Sequence, residues 1–382
     1  MAILTMEEFL KVNLLYLITE LNVGGAEKVL ARLVAGLNKE RYRVLVCSLQ
    51  KKGPVADEIE RSGIKVVSLD MEGKLNLKAP LKLFSLLKKE KVDILHSYLF
   101  HANLLARIVG CLAKTPIIIS SERIMEMEGR HRTIINRLTA PLADCITANS
   151  NSVREFIRCR IGIDPQKLVT IYNGLDVSNF REKEDRAEVK KKWGIAPDKV
   201  VIGCVARLDP QKGHEYLFKA AVKVVDRHPE VVFLLVGYGP LRKKLEDMAE
   251  ELGLASKVIF TGACNDVPQM LSIMDIFVLP SLYEGFPNAV LEAMAASRPV
   301  IATSVAGTPE IVMHHQTGIL VPRANPEALA EAVNTLLQNP ERAREMGQAG
   351  RLRVEDYFSL EKMVKKTEEL YEKLIEKKRG AL

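Results

Sequence analysis

The chain has 382 residues, of which 47% are hydrophobic and 27% are charged, so it is long enough for two domains with buried cores. Aromatic residues make up only 5%, which argues against a nucleic-acid-binding protein, because such proteins stack bases on aromatic side chains set among basic ones. The net charge of +7 arises in residues 1–180, which contain 26 basic and 19 acidic residues. This half of the chain either meets a phosphorylated substrate or an anionic membrane, or its positive charge simply keeps the surface soluble.

The beginning of the chain predicts neither a secretion signal nor a membrane span. Acidic Glu7 and Glu8 stand where a secretion signal carries basic residues, and no stretch approaches 18 uninterrupted apolar residues. The six cysteines lack C-x-x-C spacing and most lie in apolar segments, which is typical of reduced core thiols rather than of disulfides or a zinc site. We therefore expect a cytoplasmic protein that could associate peripherally with the inner face of the membrane.

Short apolar strands alternate with segments of helical period along the whole chain, which is typical of βα units on a parallel sheet. In the first half, strands are predicted at residues 12–18, 43–48, 66–70, 94–97, 117–120, 145–148 and 169–172. After the turn signal Asn173-Gly174 they resume at residues 200–206, 231–236, 258–261, 276–279, 300–303 and 319–321. The pattern predicts an α/β protein with two successive doubly wound domains.

The domain boundaries follow from where the alternation pauses. We predict an N-terminal Rossmann-like domain at residues 1–175, a second Rossmann-like domain at 176–358, and a C-terminal helix at 359–382. The last segment has helical period and a charge-rich end. It is either a plain terminal helix or one that crosses back to pack on the first domain.

Two loops of the first domain carry residues suited to binding. Gly24 and Gly25 follow the first strand, where glycines allow positive φ and let a phosphate approach a helix start, although any tight turn can use such a pair. His101 follows the fourth strand and could accept a hydroxyl proton or hold a sugar hydroxyl, or be purely structural.

The segment at residues 78–91 contains five lysines and five large apolar residues at helical spacing. As an amphipathic helix it would bury one face in the core and solvate the other. The alternative is docking on anionic lipid.

In the second domain, Arg207 and Lys212 follow the first strand, and Gly213 opens the next helix. Two cations beside a helix start could clamp a pyrophosphate and neutralise the charge that grows as a diphosphate leaves. Taken alone, such a pair is also compatible with ordinary surface charge.

Two glutamates bracket the loop that follows the strand predicted at residues 276–279. Glu284 lies in a Gly/Pro/Asn turn, and Glu292 lies in the helix after it. Free N–H groups at such a helix start attract anions and hydroxyl oxygens, and a carboxylate can hold sugar hydroxyls through charge-assisted hydrogen bonds. Otherwise Glu292 is a solvated helix residue and Glu284 is a loop acid near the helix dipole.

The segment from Glu284 to Glu292 resembles the E-x7-E motif of retaining GT-B glycosyltransferases, and its wording E-G-F-P-N-A-V-L-E-A-M-A resembles family 4 in particular. The resemblance spans roughly residues 12–360 and is most specific in the C-terminal half. Further stretches that agree in order are Gly24-Gly25-Ala26-Glu27, Phe100-His101-Ala102-Asn103, Asn173-Gly174-Leu175-Asp176, Ala206-Arg207-Leu208-Asp209-Pro210-Gln211-Lys212-Gly213 and Val236-Gly237-Tyr238-Gly239-Pro240.

The resemblance implies a GT-B fold, in which two Rossmann-like parallel-sheet domains face each other across a cleft, with the acceptor on the first domain and the donor on the second. It implies that Arg207 and Lys212 bind the donor diphosphate in place of a metal, that Glu292 holds the ribose and that Glu284 holds the sugar. The implied catalytic residues are His101, Arg207, Lys212 and Glu284. The implied donor-binding residues are Gly24, Gly25, Arg207, Lys212, Gly237, Glu284, Gly285, Phe286, Asn288, Ala289 and Glu292.

The sequence departs from the family pattern at one point. Many relatives carry a His-x-His pair before the His101 motif, whereas here His96 is followed two residues later by Tyr98. His96 either faces the reacting centre or is buried at the strand end.

Family usage implies a metal-independent, retaining hexosyltransferase without a cofactor, and no D-x-D sequence stands at a strand end to hold a metal. The expected reaction moves a hexose or N-acetylhexosamine from a UDP-sugar to a glycan or lipid-linked acceptor in cell-envelope polysaccharide or lipopolysaccharide assembly. The alternatives are a nucleotide-sugar epimerase on the same fold and a glycoside hydrolase that uses Glu284 and Glu292. A dinucleotide-dependent oxidoreductase lacks its G-x-G-x-x-G signature here.

Overall fold

A computed structural model describes residues 11–71, 78–123, 130–181, 185–264 and 266–380 of the chain. The chain forms two compact units, one of Met1–Gly174 together with Leu360–Leu382 and one of Leu175–Ser359. Each unit is built on one parallel sheet covered by helices. The predicted fold class, two parallel-sheet α/β domains, is confirmed.

All ladder pairs between the named strands are parallel. The first sheet has the order β3-β2-β1-β4-β5-β6-β7, and the second has the order β10-β9-β8-β11-β12-β13. The strands are β1 Val12–Ile18, β2 Tyr42–Ser48, β3 Lys65–Ser68, β4 Ile94–Tyr98, β5 Ile117–Glu122, β6 Cys145–Ala148, β7 Leu168–Thr170, β8 Val200–Val205, β9 Val231–Val236, β10 Val258–Gly262, β11 Ile276–Leu279, β12 Val300–Thr303 and β13 Gly318–Val321.

Helices connect the strands and cover both faces of each sheet. Short 3-10 turns and one π-helical turn, Ile157–Ile161, supplement them. The α-helices are α1 Gly25–Gly36, α2 Pro54–Arg61, α3 Lys78–Lys89, α4 Phe100–Leu112, α5 Arg130–Thr139, α6 Asn151–Phe156, α7 Arg186–Lys192, α8 His214–Val225, α9 Arg242–Glu251, α10 Val267–Ser272, α11 Asn288–Ala295, α12 Thr308–Ile311, α13 Pro326–Gln338, α14 Pro340–Tyr357 and α15 Leu360–Arg379. None of those within the described residues is long and apolar enough to cross a bilayer.

Strand β1 shows why the first sheet is buried on both faces. Successive side chains of a strand point to opposite faces. Leu14, Tyr16 and Ile18 therefore enter one core, with residues of α1, α2 and α15, while Leu15 and Leu17 enter another, with residues of α3 and α4. An unbroken apolar run such as this one is typical of a central parallel strand between two helical layers.

Helix α15 belongs to the first unit although it comes last in the chain. Its apolar side faces the first core, and its Tyr371 hydroxyl lies 2.5 Å from the Tyr16 hydroxyl. At the surface, Arg41 donates to both carboxylate oxygens of Glu372, at 2.9 and 2.7 Å. Packing and ion pairing together hold this terminal helix on the sheet.

The strand order of each sheet reverses once, between β1 and β4 in the first unit and between β8 and β11 in the second. Ligands of open α/β sheets bind beyond the carboxyl ends of the strands at such a reversal. The loops found there follow β1, β4, β8 and β11. These are the loops that carry Gly24, His101, Lys212 and Glu284.

Candidate functional site

The loops after β8 and β11 bring a lysine and a glutamate together at the reversal point of the second sheet. Lys212 Nζ donates to Glu284 Oε1 at 2.6 Å, and the two side chains are only 19% and 7% exposed. Ser281 Oγ donates to the same oxygen at 2.7 Å. The carboxylate is thus held in place by an ammonium and a hydroxyl, in a setting where water screens charge weakly.

Backbone contacts tie these two loops to each other. Leu282 N donates to Gln211 O at 2.8 Å, and Gln211 Nε2 donates to Tyr283 O at 2.9 Å. Gly213 has a φ of 63°, and a Cβ at this position would collide with the carbonyl oxygen of Pro280. Because glycine adopts positive φ without strain and has no Cβ, the loops can touch and place Lys212 beside Glu284.

Helix α11 begins in the same loop. Its N-cap is Pro287, which offers no side-chain hydrogen bond. Asn288 and Ala289 lie in its first turn and are half-buried. The partial positive charge of the helix start favours an anion here.

Phe286 and Gly285 shape the loop before α11. The Phe286 ring is buried and meets the Phe358 ring edge-on, with centroids 5.6 Å apart. Gly285 O accepts a hydrogen bond from Gly307 N at 3.1 Å. The phenyl ring therefore anchors the loop in the core.

Glu292 lies one turn into α11 and is only 8% exposed. The alternative that it is a solvated helix residue is therefore wrong. Burying a carboxylate is costly unless a partner compensates it. A buried acid close to a helix start is well suited to accept hydrogen bonds from a polyhydroxylated ligand.

Arg207 differs from Lys212 in its surroundings. Its side chain is 67% exposed, and its Nε lies 3.7 Å from Asp209 Oδ2. At this exposure and distance the ion pair is weak. The structure does not place Arg207 against Glu284, so it is a surface cation that can turn towards an incoming anion.

Gly237 has a structural reason to be glycine. Its φ is 146°, and a Cβ there would collide with the carbonyl oxygen of Ala206. Gly237 N also donates to Gly262 O at 2.9 Å. The residue lets the loop after β9 approach the backbone immediately before Arg207.

A buried histidine behind Lys212 was not predicted. His214, the first residue of α8, is buried, and burial together with the Lys212 charge lowers its pKa to about 4. Its Nε2 lies 4.0 Å from Cys204 Sγ, and its Nδ1 has no hydrogen-bond partner within the described residues. The imidazole is thus neutral at pH 7 and lies buried near the lysine. A sequence motif alone does not reveal such burial.

In the first unit, the glycine pair departs from expectation. Gly24 is the N-cap of α1 with an extended φ of −154°, so the positive φ that glycine allows is not used at this position. A Cβ on Gly24 would instead collide with the Glu27 carboxylate, which is buried and whose pKa is raised by that burial. The glycine makes room for an acid folded back over the helix start. Gly25 is the first residue of α1.

His101 and His96 occupy different environments. His101 is half-buried in the first turn of α4, edge-on to Phe100, and follows Leu99, whose φ of 73° is strained for a residue with a Cβ. His96 is fully buried; its ring nitrogens lie 2.7 Å from Tyr371 Oη and 2.9 Å from Ser121 Oγ. Burial and the Arg123 charge lower the pKa of His96 to about 3. Of its two interpretations, burial at the strand end is correct.

The loop after β5 carries Arg123, a cation at the edge of the first sheet. The guanidinium of Arg123 lies over the Tyr98 ring, 5.4 Å from its centroid, and donates to Asn173 Oδ1. Its neighbour Glu122 is buried and pairs with Arg107 at 3.2 Å, so it fastens β5 to α4.

No group of three or more His, Cys, Asp or Glu side chains suited to a metal ion occurs in the part of the chain that the structure describes. The cations of the loop after β8 are the side chains of Arg207 and Lys212. Either of them could meet an anionic ligand.

Two family models match the chain. The model described as Glycosyltransferase Family 4 matches residues 23–179, and the model described as Glycosyl transferases group 1 matches residues 185–353. Together the two matched ranges span most of both units.

Individual relatives agree with these models. An Escherichia coli UDP-Gal:alpha-D-GlcNAc-diphosphoundecaprenol alpha-1,3-galactosyltransferase is 27% identical over 365 residues, covering 91% of this chain and 94% of that protein. A Mycolicibacterium smegmatis GDP-mannose-dependent alpha-(1-6)-phosphatidylinositol monomannoside mannosyltransferase is 33% identical over 230 residues, covering 58% of this chain and 59% of that protein. The crystal structure of Anabaena HepE in complex with UDP matches with a TM-score of 0.85 at 22% identity, covering 95% of this chain and 100% of that chain.

Proposed function

Since the chain belongs to the family 4 glycosyltransferases of GT-B fold, we propose that it moves a hexose or N-acetylhexosamine from a UDP-sugar, with retention of configuration and without a metal. The observation that carries this proposal is the Lys212–Glu284 pair, 2.6 Å apart, beside the start of α11. A cation for phosphate and an anion for sugar hydroxyls are thereby adjacent. The bound UDP of the Anabaena structure supports the choice of donor.

The leaving diphosphate needs positive charge that is in place before the reaction. Lys212 supplies an ammonium, and α11 supplies N–H groups at its positive end. Arg207 is exposed enough to swing onto the diphosphate once the donor has bound. As the bond to the anomeric carbon lengthens, these groups stabilise the growing negative charge, which is the task a divalent cation performs in other transferases.

The two glutamates orient the sugars at either end of the diphosphate. Glu284 is already fixed by Lys212 and Ser281, and its remaining lone pairs accept hydroxyls of the transferred sugar. Glu292, buried in α11, accepts the ribose hydroxyls. The backbone of residues 285–289 completes the sugar pocket.

The acceptor attacks the face from which the diphosphate leaves. In this mechanism a phosphate oxygen of the leaving group takes the acceptor proton, so no carboxylate nucleophile is required. His101, half-buried after β4, would hold a hydroxyl of the donor sugar. The acceptor is a glycan or a lipid-linked sugar of envelope assembly, since the E. coli relative is named for a diphosphoundecaprenol acceptor.

The site geometry fits a glycoside hydrolase poorly. Such an enzyme needs one carboxyl group that carries a proton and donates it to the leaving group. Glu284 instead accepts hydrogen bonds from an ammonium and a hydroxyl on the same oxygen. A lysine in this position also has no role in hydrolysis of a neutral glycosidic bond.

The donor can be identified by thermal unfolding in the presence of EDTA. A UDP-sugar at about 100 times its dissociation constant should stabilise the protein by about 2.7 kcal/mol, whereas matched GDP- and ADP-sugars should have little effect. The shift should be the same after EDTA is replaced by Mg²⁺, because Lys212 and the α11 amides take the place of the metal. A thermal shift that requires Mg²⁺ would contradict metal independence. A larger shift with GDP-sugars than with UDP-sugars would show that the base of the donor is guanine and not uracil.

A further inference from the structure

The first unit contains a small polar cavity at the carboxyl edge of its sheet. Strands β4, β5 and β6 end at this cavity, and helices α1 and α15 contribute to its lining. Its volume of about 20 Å³ is room for roughly one water-sized group. A cavity of this size takes the end of a ligand and not a whole sugar ring. Its polar lining includes the side chains of Tyr98, Ser121, Arg123, Thr147, Asn149 and Asn173.

The polar cavity holds a cation that has no acidic partner. Arg123 follows directly after β5 and is partly buried, with its guanidinium over the Tyr98 ring. Its hydrogen-bond acceptor is the neutral amide oxygen of Asn173, and no carboxylate of the described residues forms an ion pair with it. Taking a cation out of water is costly unless an opposite charge compensates it. Burial accordingly lowers the pKa of Arg123.

The two nearby acids do not cancel this charge. Glu122 lines the polar cavity, but its Oε1 accepts from Arg107 Nη2 at 3.2 Å and from Asn136 Nδ2 at 3.1 Å. Glu27 attracts the guanidinium of Arg123, but this attraction raises the pKa of Arg123 by less than burial lowers it. The positive charge of Arg123 therefore remains available for a ligand.

A second group in the polar cavity lacks a partner. Asn149 is only 4% exposed, and its Nδ2 donates to Arg123 O at 3.2 Å. Its Oδ1 has no hydrogen-bond partner within the described parts of the chain. A buried amide oxygen without a donor is unfavourable, so most such groups in proteins are satisfied. By contrast, the hydroxyl oxygens of Ser121 and Thr147 lie 2.6 Å from each other and satisfy one another. The polar cavity thus offers one cation and one hydrogen-bond acceptor.

We propose that the polar cavity binds an anionic group of the acceptor, a phosphate or a carboxylate. Its oxygen atoms would meet Arg123, and a neighbouring hydroxyl or N–H group of the acceptor would donate to Asn149 Oδ1. The position fits, because ligands of open α/β sheets bind beyond the carboxyl ends of the strands, and the loop after β4 also carries His101. The inference rests on the proposed function, since it assigns the anion to the acceptor of that transfer.

Calorimetric titration of the full chain tests the anion site, with UDP present at saturation to fill the Lys212–Glu284 site. The probes are N-acetylglucosamine 1-phosphate, glucuronic acid and, as the neutral reference, methyl N-acetylglucosaminide. At least one charged probe should bind about tenfold more tightly than the neutral one, because a hydrogen bond to a charged group is worth more than a neutral one. The probe that binds assigns the group as phosphate or carboxylate. If neither charged probe binds more tightly than the neutral one, the polar cavity holds only water and the proposal is overturned.

Matched arginine substitutions locate the site. Arg123→Met keeps much of the side-chain volume without the charge, and it should weaken binding of the charged probe about tenfold or more while leaving the neutral probe unchanged. Arg123→Lys should restore part of the affinity. Arg242→Met is the control, because that guanidinium also lies over an aromatic ring but pairs with Glu246 at 2.6 Å, in the second unit. It should bind the charged probe like the wild type.

Donor binding separates failure of the anion site from failure of the transferase. The Arg123→Met variant should keep the wild-type affinity for the nucleotide sugar, because residue 123 lies in the first unit and the Lys212–Glu284 pair in the second. Retained donor binding also shows that the variant is folded. Charged-probe affinity that survives Arg123→Met would overturn the anion site and leave the transfer reaction standing.

Discussion

Replacing Lys212 with alanine is expected to lower kcat for sugar transfer by roughly 10²- to 10³-fold, the cost of removing one group that stabilises transition-state charge. The ammonium is only 19% exposed and pairs with the Glu284 carboxylate, and the neighbouring His214 is neutral at pH 7. An ammonium in such a position is worth more than one at an open surface. The measurement is the turnover rate with saturating donor and acceptor.

The protein should remain folded after this change. Glu284 keeps its bond from Ser281 Oγ at 2.7 Å, so loss of the lysine does not leave the carboxylate without a partner. Lys212→Met, which keeps most of the alkyl stem, should lose the same activity with a smaller change in melting temperature. Lys219→Ala, an exposed lysine on α8, serves as the control and should turn over like the wild type. Wild-type turnover of both Lys212 variants would refute the assignment.

Replacing Glu292 with alanine is expected to act mainly on donor affinity. Two hydrogen bonds from ribose hydroxyls to a carboxylate, at about 1.5–3 kcal/mol each, predict a fall in kcat/KM of at least roughly a hundredfold. Most of the loss should appear as a higher KM for the donor, because the ribose contact is the same in the ground state and the transition state. Steady-state kinetics over a range of donor concentrations separates the two constants.

A donor with a modified ribose tests whether Glu292 contacts the ribose 2′-hydroxyl. A 2′-deoxyribose donor should be a poor substrate for the wild type, but it should lose little further activity with Glu292→Ala, because both changes remove the same contact. Glu331→Ala, at an exposed glutamate on α13, is the matched control. Losses that simply add would show that Glu292 does not contact the 2′-hydroxyl.

The strands of both sheets could be predicted from the sequence because each strand is a short apolar run between turn signals. All thirteen predicted strands are present, and the differences lie at the ends. The strand predicted at 66–70 ends at Ser68, since Asp70 turns the chain with a φ of 50°. Local patterns determine strand and helix identity in this chain because parallel strands buried on both faces must be apolar throughout.

Contacts between residues far apart in the sequence could not be predicted in the same way. Helical period predicts α15 but does not decide whether the helix packs back on the first domain; the contact of Tyr371 with Tyr16, 355 residues apart, shows that it does. Likewise, the sequence does not show that Gly24 makes room for the side chain of Glu27. The burial of His214 depends on a whole core. Such features follow from three-dimensional neighbours that no short motif encodes.

The sequence predicted which residues and loops form the candidate site, but it did not predict which side chains pair within it. The spacing of Glu284 and Glu292 and the positions of Arg207 and Lys212 are motif properties. The direct Lys212–Glu284 bond and the exposure of Arg207 required the structure. The pairing matters because, in the proposed reaction, Lys212 holds Glu284 and the diphosphate at the same time.

A crystal structure of the protein with UDP would show whether Lys212 and Glu292 bind the donor. We expect a β-phosphate oxygen at about 3 Å from Lys212 Nζ, with the ribose hydroxyls on the carboxylate of Glu292. UDP bound with its phosphates away from Lys212, or with its ribose away from α11, would refute the proposed donor site.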